Sequence, residues 1–493
     1  MKRVASGILP MIAVNRKAPK ALHRQIYDAY RAAIVDGSLR AGQRVPSTRA
    51  LASEIRVSRF PVLNAYAQLL AEGYFESRVG AGTVVSNSLP DHLTSSAPAG
   101  ATQPVTRSGP RPFARRSSIL PRVDRFPWLQ SWGAFRVGQV AFDQFPFRVW
   151  SSLVARHCRN LDVQSSHYGN LMGSQVLRET LSDYLRTARS VRCDAEQVMI
   201  VGGSQHALEI SARVLLDPGN RVWVEEPCYG LARDVFALTG CHPVPVPVDS
   251  EGLDVATGIK QCRKARAAFV TPSHQFPLGV TMSASRRLQL VDWAQSSGSW
   301  IIEDDYDSEY RYESLPMASL QGLDANSRVI YIGTFSKVLF PSLRLGYAVI
   351  PADLVDRFRA IRRVMDLGPA TFYQEVIADF IREGHFARHI RRMRVLYGEL
   401  RSALVENLTK ELGSVVEIVG DEAGMHVTVK LNSGDDDLAI SGRAARQHLS
   451  LWPLSPSYMG EASRQGFILG FGGTTMAEIP NAVRKLRSLL TTK

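Results

Sequence analysis

The chain has 493 residues, of which 45% are hydrophobic and 21% charged, enough for two or three folded units and unlike a disordered or fibrous composition. No run approaches the roughly 18 consecutive apolar residues of a membrane span, and five cysteines without a Cys-x-x-Cys pair argue against a disulfide framework or a metal site. The net charge of +13 is uneven: residues 1–121 hold 17 Lys/Arg against 6 Asp/Glu, and the remainder is almost neutral, so a basic module suited to phosphate is expected at one end of a neutral bulk.

In chain order, Met1-Lys2-Arg3 leads into a short mixed segment without a signal-peptide core, and the expected location is the cytoplasm. Leu22, Ile26, Ala29, Tyr30, Ala33 and Ile34 recur at helical spacing, and Asp36-Gly37 ends that helix. Ser47 is placed to cap a second short helix and Ser58 a third, with Pro61 in the first turn of the third and Gly73 after it. Tyr74–Val79 and Thr83–Val85 read as two strands joined by Gly80-Ala81-Gly82. Three helices and a hairpin on a basic chain describe a winged helix-turn-helix.

The runs Gly42-Gln43-Arg44-Val45-Pro46-Ser47-Thr48-Arg49, Val57-Ser58-Arg59 and Glu72-Gly73-Tyr74-Phe75-Glu76 closely resemble the GntR family of bacterial winged-helix regulators. The resemblance implies that Arg44, Ser47 and Arg49 approach DNA from the second-helix region, that Ser58 and Arg59 start the recognition helix, and that Gly80 and Thr83 belong to the wing. Guanidinium groups and helix N-termini suit phosphates and guanine edges. Phe60-Pro61 depart from the polar residue and threonine usual in the family, which predicts a shifted operator preference.

Residues 87–121, rich in Pro, Ser, Thr and Ala, are expected to be a flexible linker between a DNA-binding domain, 1–86, and a second domain, 122–493. In the second domain short apolar runs alternate with longer amphipathic stretches, the pattern of an α/β fold with a largely parallel sheet. Val198–Val201 leads into Gly202-Gly203-Ser204-Gln205, and Arg221–Glu225 into Pro227-Cys228-Tyr229-Gly230. Ala267–Thr271 is followed by Ser273-His274-Gln275, with His274 and Gln275 expected to line the site. Trp300–Glu303 is followed by Asp304-Asp305-Tyr306-Asp307, the acids being expected outside the strand. Val329–Gly333 runs into Thr334-Phe335-Ser336-Lys337, with Arg344 seven residues on. Ligands of open α/β sheets sit beyond the carboxyl ends of the strands, so these clusters converge. A Schiff-base lysine, an acid for a pyridinium nitrogen, a stacking aromatic and a hydroxyl/arginine nest are the fittings of a pyridoxal 5'-phosphate (PLP) site.

That order of motifs resembles fold-type I aminotransferases, and behind a GntR-like head it resembles the MocR/GabR subfamily of regulators. The resemblance implies that Lys337 holds PLP as an aldimine, Asp304 pairs with the pyridine nitrogen with Asp305 as the alternative, and Tyr306 and Tyr229 contact the ring. It implies that Ser204, Gln205, Thr334, Ser336 and Arg344 bind the phosphate. The arginine with which related proteins grip an amino-acid carboxylate is replaced here by Phe467-Ile468, with Arg464 as a substitute. The expected function is PLP-dependent transcriptional regulation rather than metabolic catalysis, with DNA binding modulated by PLP or its aldimine with an amino-acid or amine effector, in a homodimer away from membranes. The alternative is an active aminotransferase with a DNA-binding or vestigial head.

Overall fold

The computed structural model describes residues 12–78, 82–87, 112, 114–120, 132–161, 167–312 and 317–491. The chain divides into two compact units, 1–112 and 113–493. Among the described residues no helix is long and apolar enough to cross a membrane.

The smaller unit contains α1 (Leu22–Val35), α2 (Thr48–Glu54), α3 (Arg59–Ala71), β1 (Phe75–Arg78) and β2 (Gly82–Val85). The stripe Ile26, Tyr30, Ala33 and Ile34 of α1 meets Val62, Tyr66 and Leu69 of α3 in one buried cluster. Tyr30, Tyr66 and Phe75 pack edge to face at 5.2–5.5 Å, a geometry that matches ring edges to ring faces. Ser47 caps α2, accepting a hydrogen bond from the Ala50 amide at 3.2 Å. Ser58 occupies the N-cap of α3, but its side chain makes no capping bond, so the expected cap is realised in position only. The hairpin is antiparallel, pairing Phe75 with Val85 and Arg78 with Gly82.

The larger unit is built on an eight-stranded sheet in the order β3-β10-β9-β8-β7-β4-β5-β6. These strands are β3 (Val198–Val201), β4 (Arg221–Glu226), β5 (His242–Asp249), β6 (Gly252–Leu253), β7 (Ala267–Val270), β8 (Trp300–Asp305), β9 (Val329–Thr334) and β10 (Gly346–Val349). Strands β9, β8, β7, β4 and β5 are mutually parallel, whereas β10 runs antiparallel to both β3 and β9. Every residue of β3, β7, β8, β9 and β10 is buried, as expected where helices cover both faces. A second, antiparallel sheet, ordered β11-β12-β14-β13, holds β11 (Val416–Val419), β12 (His426–Leu431), β13 (Trp452–Pro453) and β14 (Gly466–Gly470).

Two expectations change. Strand β8 does not stop at Glu303 but continues through Asp304 and Asp305, because Asp305 pairs with Arg189 on one face of the sheet while Asp304 faces a cavity on the other. Within the segment expected as linker, Arg115–Ile119 forms a 3-10 turn in contact with the helix Gly230–Leu238. The rest of that segment lies almost wholly outside the described residues.

Candidate functional site

Strands β3, β4, β7, β8 and β9 point their carboxyl ends the same way, and antiparallel β10 starts where they finish. The residues after five strands and before a sixth therefore meet at one sheet edge. A cavity of about 210 Å³ opens there, lined by Ser204, Gln205, Tyr229, Asp304, Tyr306, Thr334, Ser336, Lys337 and Arg344. All nine are the residues singled out in the sequence as a cofactor constellation.

One end of the cavity is made for an anion. Gly203 caps the helix Ser204–Leu215 with φ +99°, a conformation suited to glycine, and a Cβ there would lie 3.4 Å from the Arg344 guanidinium. Arg344 donates to the Gly202 carbonyl at 3.2 Å. The free N–H groups of the helix start, the Ser204, Thr334 and Ser336 hydroxyls and this cation share one cradle. The Ser336 amide donates to the Thr334 hydroxyl at 3.1 Å, fixing the turn that carries Lys337.

The floor of the cavity carries the acids. Asp304 and Asp305 alternate across β8. Asp305 turns away from the cavity into an ion pair with Arg189 at 2.6 Å and accepts from the Tyr331 hydroxyl at 2.6 Å. Asp304 lines the cavity, and its Oδ1 is buried without a partner. Burial, and then the neighbouring Asp305 carboxylate, push the Asp304 carboxyl up to about 7, against the pull of Lys337. Burial holds the Lys337 amine below its ordinary value, while Asp307 and Asp304 oppose that shift. A neutral fraction of lysine is what attack on a carbonyl requires.

Tyr306 donates to the His274 carbonyl at 2.8 Å and lies 3.1 Å from His274 Nδ1. His274 Nδ1 is 3.1 Å from Asp307, and His426 Nε2 donates to the Pro277 carbonyl at 3.1 Å. His274 and Gln275 do not line the cavity as expected; both are buried behind its wall. The Gln275 amide donates to the carbonyls of Pro227 at 2.8 Å and Phe276 at 2.7 Å, tying the loops after β4 and β7 together. Gln205 and Tyr229 both line the cavity.

Sequence reading missed Val137, Gly138, Thr271, Phe276, Asp307, Pro341, Met425, His426 and Trp452, which complete the lining. Asp307 and Phe276 lie inside motifs already singled out. Gly138, Met425, His426 and Trp452 come from segments without a recognisable motif.

In the smaller unit Arg49, Ser58, Arg59 and Phe60 are exposed at the start of α2 and α3. Arg59 donates to the Thr48 hydroxyl at 3.2 Å, which orients it along the turn. Arg44 forms a bridge with Val84 of β2, and its guanidinium lies beside Gly82. It thus belongs to the hairpin rather than to the second-helix region. Thr83 is half-buried in β2, and Gly80 lies outside the described residues.

The gntR family of bacterial regulatory proteins matches residues 22–85, and the class I and II aminotransferases match residues 135–486. The probable rhizopine catabolism regulatory protein MocR of Rhizobium meliloti is 38% identical over 97% of this chain and 95% of its own. The chain belongs to the MocR-type GntR regulators. The pyridoxine biosynthesis transcriptional regulator PdxR of Corynebacterium glutamicum is 29% identical over 96% of this chain and 98% of its own. Kynurenine aminotransferase of Pyrococcus horikoshii superposes with a TM-score of 0.71 at 26% identity, covering 77% of this chain and 96% of its own.

This MocR-type chain is accordingly a DNA-binding transcriptional regulator with a fold-type I aminotransferase domain, and the cofactor of that fold is PLP. The cavity fits it: an orphaned buried carboxylate oxygen at Asp304 suits a protonated ring nitrogen, and the Arg344 cradle suits a phosphate. When bound, PLP supplies an aldehyde and an electron-withdrawing ring.

Proposed function

We propose that PLP, alone or joined to an amino compound, sets the DNA-binding state of this MocR-type regulator. The observation that carries the reading is the presence of Lys337, Asp304 and Arg344 around one cavity in a chain that also folds a winged helix. Lys337 holds the aldehyde end, Asp304 the ring nitrogen, Tyr306 and Tyr229 the ring, and Ser204, Gln205, Thr334, Ser336 and Arg344 the phosphate. Arg44, Ser47, Arg49, Ser58 and Arg59 face DNA, with Thr83 and Gly80 in the wing.

The working arrangement is a DNA-binding domain at 1–86, a tether at 87–121 and an effector domain at 122–493, assembled as a cytoplasmic homodimer that presents two heads to paired half-sites. Regulation rather than turnover is the output. An effector acts only through different affinities for the two DNA-binding states.

The test is binding of the full-length protein to the DNA upstream of its own gene, with and without PLP, for wild type and Lys337→Ala. Specific binding that responds to PLP in the wild type alone supports the reading. PLP-independent binding by both proteins rejects it, and sustained transamination of an amino donor and keto acceptor would mark an enzyme instead.

A further inference from the structure

We propose that the amino compound received beside Lys337 is an amine with an apolar or aromatic body and no carboxylate. The proposal rests on the reading that Lys337 binds PLP, and it names the class of molecule that joins it.

Charge is the first argument. Among the described residues, the only lysine or arginine side chains lining the cavity are Lys337 and Arg344. Arg344 is committed to the anion cradle at Gly202 and Gly203, and Lys337 supplies the nitrogen that the incoming amine replaces. Asp304 and Asp307 also line the cavity, so a ligand carboxylate would be buried among acids without a cation of its own. Burying an unpaired charge is strongly unfavourable.

The places from which a cation could reach are occupied otherwise. Strand β14 presents Phe467 and Ile468, both fully buried, and Arg464 before it is exposed and does not line the cavity. Arg136 lies next to the lining residue Val137, but its guanidinium sits over the Trp132 ring at 4.1 Å. His426 lines the cavity as a neutral ring, since burial and then His274 hold it well below its ordinary value.

Shape is the second argument. Phe276 is the centre of an aromatic wall, with ring centroids 5.4 Å from Tyr229, 5.4 Å from His426 and 6.1 Å from Trp452. Val137 and Met425 extend this surface. A Cβ at residue 138 would fall 2.5 Å from Lys337 Nζ, so Gly138 leaves room beside the reacting nitrogen for the carbon that bears the amine. An apolar body laid on this wall leaves water behind, whereas a carboxylate there gains nothing.

The test uses full-length protein loaded with PLP and freed of excess cofactor. The near-visible absorbance of the lysine-bound cofactor is titrated with matched pairs, 2-phenylethylamine against L-phenylalanine and isopentylamine against L-leucine, compared per unprotonated amine. Each amine is expected to perturb the spectrum at a concentration at least tenfold lower than its amino acid. Equal or stronger response to the amino acids overturns the proposal, and would point to a carboxylate partner brought by a second chain. A spectrum unmoved by either member of a pair also overturns it. If the wild type shows no lysine-bound absorbance before any amine is added, the PLP reading falls first and this proposal with it.

Discussion

Asp304 and Asp305 are adjacent in the chain and face opposite sides of the sheet: the first looks into the cavity with an unpartnered oxygen, the second is locked to Arg189 at 2.6 Å. One acid is therefore available to a ligand, and its neighbour holds the fold. Asp305→Asn should destabilise the cofactor-free protein by about 3 kcal/mol, since it leaves a buried arginine without its counter-charge. Asp304→Asn should cost no such stability, at most relieving the burden of an ionised buried carboxylate as pH rises, and should weaken PLP retention about tenfold or more, through loss of a charge-assisted hydrogen bond. Urea unfolding and cofactor dissociation, measured on both variants, separate the two roles.

The same pair predicts a pH dependence. Asp304 has its folded-state carboxyl pushed up to about 7 by burial and by Asp305, against an ordinary value of 3.8. Its proton is thus held more tightly in the folded chain, and its contribution to stability is full below pH ~4 and lost as pH rises through ~7. Cofactor-free wild type should lose on the order of 2–3 kcal/mol relative to Asp304→Asn between pH 5 and pH 8. Histidines held neutral by burial, such as His389, which is brought down to about 4, act at the acid side and cancel in the comparison. A constant difference in urea midpoints would show the carboxyl ionised throughout.

Arg344→Ala should lower PLP affinity about 10- to 100-fold while leaving DNA binding by the cofactor-free protein unchanged. Gly203→Ala should affect both affinity and stability. Its φ of +99° strains any other residue by about 1–3 kcal/mol, and its new methyl would rest in contact with the guanidinium that closes the cradle, so a turn that relaxes the strain shifts the cradle with it. Equilibrium dialysis with PLP and thermal melts of the two variants distinguish a lost charge from a distorted turn.

On the DNA side, Arg59 and Phe60 are neighbours with different expected signatures. Arg59→Ala should weaken binding to selected and random DNA alike and reduce the salt slope by about 1. Phe60, 70% exposed at the start of α3, has no charge to release counterions and is suited to a thymine methyl. Phe60→Ala should keep the slope and cost about 1–3 kcal/mol of preference for DNA enriched from a random pool. Fluorescence anisotropy at several salt concentrations reads both effects.

The glycine turn before Ser204, the acids of β8 and the Thr334–Lys337 turn were legible in the sequence because each is local to a strand end, and a parallel sheet brings strand ends together. The choice between Asp304 and Asp305 was not legible in the motif, since it depends on the phase of β8 and on Arg189, whose partner lies far away in sequence. The aromatic wall was hidden for the same reason: Trp452 and His426 come from the second sheet, and no local pattern tells a core ring from one that faces a ligand. In the head, helix periodicity exposed α1 to α3, yet Arg44 read as a neighbour of Ser47 although cross-strand pairing places it beside Gly82.

Strand β10 runs against β9 in a fixed register, Gly346 opposite Thr334, so the segment Phe335–Leu345 leaves and re-enters the sheet at one point. Lys337 and Arg344 sit near its two ends, and both line the cavity. On the proposed assignment, one short segment thus carries the groups that meet the two ends of PLP. A vitamer without its phosphate is then expected to engage Lys337 and leave the Arg344 cradle unused. Side-chain changes along the aromatic wall around Phe276, which belongs to other segments, would then alter which amine is received without touching this segment.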